Sequence, residues 1–198
     1  MEGPINTEDW LRLNTLEFPP HRLHTLLEVY GGSPTALFAA SRDEWAERLP
    51  QFSAKRLAHL ATVRDYDVTR DLAALEKSGA RLVTIQDRTY PANLRPLPDA
   101  PPVLFVRGEL IPEDKFGLAI VGSRRATNYG QTLATQFSRD LTAHGLAIVS
   151  GGARGVDTYA HRGAVEAGGR TLAFLGCGVD TPCTVSSPAS SPSRSPGR

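Results

Sequence analysis

Several features that would define other classes of protein are missing from the sequence. Its 198 residues include only two cysteines, Cys177 and Cys183, which are too few for a disulfide framework and are not spaced as zinc ligands. No stretch approaches the roughly 20 apolar residues of a membrane-spanning helix, and the acidic N-terminal residues do not resemble a secretory signal. We therefore expect a cytoplasmic protein with no membrane partner.

A large excess of basic residues is also missing. Residues 1–79 contain nine Lys and Arg against twelve Asp and Glu, whereas residues 80–180 contain eleven against nine, ten of the eleven being arginine. A dedicated duplex-binding module carries a stronger basic charge than this. A nucleic-acid site in this chain must therefore be a local patch.

The first of three predicted domains, residues 1–79, consists of four to six short amphipathic helices. This pattern favours a small all-α domain of the sterile-alpha-motif or helix-hairpin-helix type. Lys55 and Arg56 stand where a helix-hairpin-helix unit contacts phosphate, but the glycine-hydrophobic-glycine turn of such units is missing. We favour a structural or partner-binding role for this domain. We expect Thr7 to cap the first helix, and the other expected helix starts are Pro19-Pro20, Ser33-Pro34, Ser41 and Ser53.

The second predicted domain, residues 80–180, alternates short apolar runs with helical patterns. Such alternation indicates an α/β fold, here half of a Rossmann-like parallel sheet, with apolar strands that suit a sheet covered on both faces. The first long helix carries Leu133, Phe137 and Leu141 on one face. The expected elements are strands 81–85 and 103–106, then strand 117–121, helix 130–144, strand 146–149, helix 156–167 and strand 171–175.

The third predicted domain, residues 181–198, has a different composition. Ten of its 18 residues are Ser or Pro, and no hydrophobic period is present. Such a segment buries too little apolar surface to offset its ordering entropy. We expect it to be disordered.

The chemistry of the chain is concentrated in two turns that follow parallel strands. In the first turn, Gly122 allows a sharp change of direction, Ser123 offers a hydroxyl, and Arg124 and Arg125 offer planar guanidinium groups that grip phosphate oxygens. Either Thr127 or Asn128 caps the next helix, whose positive end attracts anions. Tyr129 either stacks on a base or packs on the helix start, and we favour packing.

The second turn repeats the same combination of small residues and arginine. Gly151 and Gly152 permit a close backbone approach, and Arg154 reaches a second phosphate. Asp157 and His161 share a helix face, where such a pair is more often structural than catalytic. At the end of the third strand, Cys177 is expected to be a small buried residue.

Two familiar nucleotide-binding patterns are absent at these turns. A dinucleotide site needs Gly-x-Gly-x-x-Gly after the first strand and an acidic residue at the end of the second. The first turn has only Gly122 and Gly130, the second strand ends in Ser150-Gly151, and no Walker loop is present. We expect no NAD, no ATP, no other cofactor, no metal ion and no catalytic residue.

Taken together, these motifs resemble those of the DNA-processing protein A family (DprA, also called Smf). The resemblance covers about residues 5–180. It rests on four segments above all, which are Tyr90-Pro-Ala-Asn-Leu-Arg, Gly122-Ser-Arg, Ser150-Gly-Gly-Ala-Arg-Gly-Val-Asp and Leu175-Gly-Cys-Gly-Val-Asp.

The resemblance implies a non-enzymatic protein of bacteria that binds single-stranded DNA. Such proteins act in natural transformation and recombination, load the RecA recombinase onto DNA, and form homodimers. The family's DNA pocket maps onto Gly122, Ser123 and Arg124, with Arg154 beside them. Beyond Asp180 the sequence departs from the family pattern. This departure indicates a truncation or a shifted reading frame that would remove the family's dimer contacts and RecA-binding surface.

Two other interpretations remain open. The first is a nucleotide-binding enzyme on a related Rossmann-like fold, similar to nucleoside-monophosphate phosphoribohydrolases. The Pro-Gly-Gly-x-Gly-Thr loop of those enzymes is only partly matched by the Ser150 turn. The second is a protein-interaction fragment that uses the acidic helical domain.

Overall fold

The computed structural model describes residues 6–179, which belong to two compact units divided between Leu110 and Ile111. The first unit begins with six helices, within the predicted four to six, and five of them begin at or next to the expected starts. Ser33 and Ser41 accept hydrogen bonds from the backbone N–H of Ala36 and Glu44, both at 3.1 Å. The helices are α1 (Thr7–Thr15), α2 (Pro20–Val29), α3 (Pro34–Ala39), α4 (Arg42–Arg48), α5 (Ala54–Arg64) and α6 (Thr69–Ser78).

One expected cap is wrong by a residue. The carbonyl oxygen of the Asn6 side chain accepts from the N–H of Glu8 at 3.2 Å, so Asn6 caps α1, and Thr7 is its first helical residue. Asparagine is as good a cap as threonine because its short side chain reaches the first free N–H groups.

The core of this unit is large and apolar. Leu13, Leu26, Leu37 and Trp45 have no exposed surface, and the Trp45 Nε1–H donates to the Leu37 carbonyl at 2.8 Å. Full burial of each of these leucines contributes about 1.5–3 kcal/mol. The helices therefore depend mainly on packing, because each is too short to be stable alone.

An antiparallel hairpin completes the first unit. β1 (Ala80–Thr84) pairs with β2 (Val103–Arg107), with Ala80 opposite Arg107 and Thr84 opposite Val103. Val103 belongs to the same buried cluster as the helices. The hairpin therefore packs with the helices of the first unit. The domain limits predicted from composition, 1–79 and 80–180, stay a prediction.

The second unit contains the predicted parallel sheet. β3 (Leu118–Ala119), β4 (Ile148–Ser150) and β5 (Thr171–Ala173) lie in that order and are all parallel. The α/β, Rossmann-like prediction is confirmed. The strands are shorter than expected because both outer strands pair only with β4, which has three residues.

Two helices connect these strands. α7 (Asn128–Ala143) follows β3, and α8 (Val156–Glu166) follows β4. Right-handed crossovers between consecutive neighbouring strands place both helices on one face of the sheet. At Gly163 of α8 the helices lie so close that an added Cβ would be 2.5 Å from the Thr135 carbonyl oxygen.

The buried face of α7 differs from the apolar face seen in the sequence. Ala134, Ser138 and Thr142 are the buried positions, whereas Phe137 is 56% exposed and Leu133 is half-buried. Small residues occupy the buried face because α8 approaches closely there.

The expectation of a sheet covered on both faces is wrong for residues 6–179. Ile148 points toward the helices and has no exposed surface. Val121 and Phe174 are 71% and 46% exposed, and they alternate in direction with the helix-facing residues. One face of the sheet is thus packed and the other is open among the described residues.

Between residues 6 and 179 no helix combines the length and apolar character needed to cross a membrane. The predicted disorder of residues 181–198, the departure after Asp180 and Cys183 lie outside the described residues.

Candidate nucleic-acid interface

The first predicted turn is an exposed loop between β3 and α7. The Ser123 Oγ accepts from the backbone N–H of Arg125 at 3.0 Å, which leaves the Ser123 hydroxyl proton available to a ligand. Of the two candidate caps, Thr127 caps α7, and its Oγ1 accepts from the N–H of Gly130 at 3.2 Å. The loop therefore presents a hydroxyl donor next to a capped helix start.

The second turn is docked directly onto the first. The backbone N–H of Val156 donates to the Ser123 carbonyl at 3.1 Å. Gly155 lies between them with φ +88°, and a Cβ on it would be 2.1 Å from the Ser123 carbonyl oxygen. Behind this contact, the Ser150 hydroxyl donates to the Ile120 carbonyl at 2.6 Å. Both turns therefore belong to one surface at the carboxyl ends of the strands.

The other glycines of the turns pack against α8. A Cβ on Gly122 would be 2.8 Å from the Val156 side chain, and one on Gly151 would be 2.9 Å from an Asp157 carboxylate oxygen. Gly152 is buried with φ +68°. Gly122 and Gly151 thus let the two turns pack closely on the start of α8, and the contact of these glycines with a ligand stays a prediction.

Three arginines give this edge its positive charge. Arg124, Arg125 and Arg154 are all exposed. Within residues 6–179, no carboxylate lies within 4.0 Å of any of the three guanidinium groups, in contrast to Arg162, which pairs with Glu166 at 2.7 Å. The three guanidinium groups are therefore open to an anion from solvent.

Asp157 and His161 lie inside the unit beneath the turns. Asp157 is buried and accepts from the backbone N–H of Ala153 at 3.3 Å, which holds the second turn to α8. His161 is also buried, with its Nδ1 2.7 Å from the Thr171 Oγ1. Because the Thr171 hydroxyl donates its only proton to the Ile148 carbonyl at 2.8 Å, the His161 Nδ1–H is the donor in this pair.

The same arrangement disfavours the charged imidazolium. The His161 Nε2 is buried and has no hydrogen-bond partner among the described residues. Burial lowers the pKa of His161, and the negative charge of Asp157 opposes this effect only in part. Both side chains therefore have structural positions.

Two expectations about single residues are wrong. Cys177 is exposed and not buried, because it follows the last strand in a turn on the surface. Tyr129 is 74% exposed and does not pack on the helix start, which is already closed by Thr127. Lys55 is exposed and Arg56 is half-buried, and both lie in the first turn of α5.

Sequence reasoning missed Gly155 as a residue of this site. Its role depends on the contact with Ser123, which is distant in the chain. The signal that could have found it is a glycine directly before a helix start, in a turn that needs a positive φ.

Comparisons with known proteins point to one family. Residues 81–189 match the family model described as DNA recombination-mediator protein A. Protein Smf of Escherichia coli is 38% identical over 114 residues, which are 58% of this chain and 30% of that protein. The putative DNA processing protein DprA of Mycobacterium tuberculosis is 32% identical over 190 residues, 87% of this chain and 46% of that protein.

A solved structure shares the fold. The X-ray structure of DNA processing protein A (DprA) from Streptococcus pneumoniae matches with a TM-score of 0.70 and 28% identity, over 89% of this chain and 60% of that one. The chain thus spans less than half the length of the two curated relatives. The motifs, the fold and the family model agree, and the chain belongs to the DNA recombination-mediator protein A family.

Proposed function

We propose that the edge formed by the two turns binds the sugar-phosphate backbone of single-stranded DNA, without catalysis. The observation that carries this proposal is the docking of Gly155-Val156 onto Ser123, which brings Arg124, Arg125 and Arg154 to one surface with no carboxylate partner in the described chain. The remaining predicted contact residues, Gly122, Gly151 and Gly152, shape this surface from beneath.

The chemistry of the surface fits a flexible phosphate chain. Each arginine fork can take two phosphate oxygens, the Ser123 hydroxyl can donate to another, and the start of α7 adds a partial positive charge. The charged groups of this edge lie in the turns and not along a helix, so we expect their contacts to go to the sugar-phosphate backbone and to tolerate any sequence.

The first test replaces Arg124 with alanine. Anisotropy of a labelled oligo-dT strand should show tight binding by the wild-type chain and a loss of roughly tenfold for Arg124→Ala, because a charge-assisted hydrogen bond is worth about 1.5–3 kcal/mol. Arg42→Ala in α4 removes the same charge from the first unit and is the matched control. Equal affinities for Arg124→Ala and the wild type would contradict the proposed contact.

The salt dependence gives an independent measure of the same contacts. For single strands the slope of log affinity against log salt is about −0.7 per neutralised phosphate. Three arginine contacts should give a slope near −2, and Arg124→Ala should make it shallower by about 0.7. A slope that does not change on substitution would place the ionic contacts elsewhere.

RecA loading and homodimer formation follow from the family and stay proposals for this chain. Light scattering after gel filtration gives the oligomeric state, and RecA filament assembly on protein-coated single strands tests loading. A monomer that does not accelerate filament assembly would contradict both.

The hydrolase alternative has little support in the site. Asp157 and His161, the acid and base nearest the turns, are buried and bonded to Ala153 and Thr171. Release of adenine from AMP by the purified chain would nevertheless overturn the non-catalytic proposal.

A further inference from the structure

Tyr129 is the most exposed large apolar side chain among the described residues. The ring therefore contributes little to the packing of the unit. It is 74% exposed at the second position of α7. Two other tyrosines, Tyr30 and Tyr90, are 5% and 2% exposed. An aromatic ring left this open has a free face on which another planar group can stack.

The start of α7 is held together without this ring. The Thr127 Oγ1 accepts from the N–H of Gly130 at 3.2 Å, and the Gln131 side-chain Nε2–H donates to the Ala126 carbonyl at 3.0 Å. Both bonds fix the chain on either side of Tyr129. The exposed tyrosine is therefore not needed to cap or anchor the helix.

The position of Tyr129 ties it to the phosphate-binding edge. Only three residues separate it from Arg125, so the two Cα atoms are at most about 14 Å apart even along a fully extended chain. A strand whose phosphates lie on Arg124 and Arg125 has its bases within reach of this ring.

We infer that Tyr129 stacks on a base of the bound strand and supplies the preference for single-stranded over duplex DNA. This inference rests on the proposed function. Aromatic stacking accepts every base because each has a flat face, whereas the bases of a duplex are already stacked on one another. Arginines alone grip the phosphates of either form, so a stacking residue is what distinguishes the two.

A rival occupant of this surface is another protein. Phe137, 56% exposed, lies about two turns further along α7 and roughly 80° around the helix axis from Tyr129. A protein partner would use both rings as an apolar face, whereas a strand held at the arginine turns needs Tyr129 and not Phe137.

The test measures binding of the 198-residue chain to oligo-dT and to an abasic strand of equal length. Tyr129→Ala should weaken binding to oligo-dT by roughly 5- to 100-fold, and Tyr129→Phe should retain it. On the abasic strand Tyr129→Ala and the wild type should bind equally. Arg124→Ala should weaken binding to both strands, because it acts on phosphates.

Phe137→Ala is the matched control, an exposed ring removed from the same helix, and it should leave both affinities unchanged. An oligo-dT affinity of Tyr129→Ala equal to wild type, with Arg124→Ala still weakened, would overturn the stacking role alone. Equal losses in Tyr129→Ala and Phe137→Ala, or an equal loss on the abasic strand, would also overturn it. A wild-type chain that binds neither strand would overturn the proposed function together with the stacking role.

Discussion

His161 shows how one buried side chain sets the response of the second unit to pH. Its Nδ1–H is committed to Thr171, and its Nε2 has no partner among the described residues, so protonation would bury an unpaired donor and a charge. Burial holds the pKa of His161 below its ordinary value of 6.5. In the unfolded chain the imidazole takes up a proton near pH 6.5. The free energy of unfolding should therefore be highest above pH 6.5 and fall as the pH is lowered toward the folded pKa.

His161→Asn tests this assignment. The asparagine amide can still donate to Thr171 but does not titrate, so the unfolding free energy should fall less between pH 8 and pH 5 than it does in the wild type. Urea denaturation followed by circular dichroism at each pH gives the comparison. The comparison depends on how steeply the unfolding free energy of each protein falls with decreasing pH, and not on its absolute value. Parallel pH profiles would remove His161 from this role.

At the scale of elements, the contact between the two turns depends on one glycine. Gly155→Ala would place a methyl group 2.1 Å from the Ser123 carbonyl oxygen in a backbone with φ +88°. Gly168→Ala is the control, because Gly168 has φ +72° and open space around it. Both variants place a side chain on a backbone with positive φ, which costs about 1–3 kcal/mol. With ψ −135°, Gly155 lies in a region that essentially only glycine occupies.

Only Gly155→Ala also forces the two turns apart, which should cost about 1–3 kcal/mol more and weaken DNA binding. Chemical denaturation and anisotropy measure the two effects. Equal behaviour of the two alanine variants would contradict the coupling of the turns.

The close contact between α7 and α8 predicts that replacing glycine by alanine changes the stability in opposite directions at two helical positions. Alanine normally stabilises a helix over glycine by about 1 kcal/mol. Gly130→Ala should follow this rule, since its Cβ would meet only ordinary contacts of 3.6–4.0 Å. Gly163→Ala should instead destabilise by about 1–3 kcal/mol, because the Cβ would be 2.5 Å from the Thr135 carbonyl oxygen. Thermal unfolding distinguishes them, and two stabilised variants would show that the helices can separate without cost.

On the scale of the whole molecule, the two units differ greatly in the size of their cores. The buried apolar cluster of the first unit joins its helices and its hairpin, whereas that of the second consists of Ile148, Ala160 and Ala164. A fragment of residues 1–110 should therefore fold alone and unfold cooperatively on heating, as followed by circular dichroism. A fragment of residues 111–198 should bind a hydrophobic dye more strongly, because Val121 and Phe174 are exposed. A first fragment without a thermal transition would contradict this division.

The sequence predicts the type and order of the helices and strands better than it predicts which elements pack against one another. Caps such as Ser33 and Ser41, and the alternation of strands and helices after residue 117, are local signals, and they gave the correct order of elements. The open sheet face and the exposure of Phe137 were not predicted, because they depend on which distant elements pack together. In the site, the arginine turns were recognisable from composition, but the Gly155 contact required the three-dimensional arrangement.

The division into two units also decides which optical signals report on which part of the chain. The only two tryptophans of the sequence, Trp10 and Trp45, are both buried in the first unit. Intrinsic tryptophan emission therefore reports the unfolding of the first unit and not changes at the arginine turns. A tryptophan introduced by Phe137→Trp would add a signal from the second unit, whereas tyrosine absorbance would not, because Tyr30, Tyr66 and Tyr90 lie in the first unit.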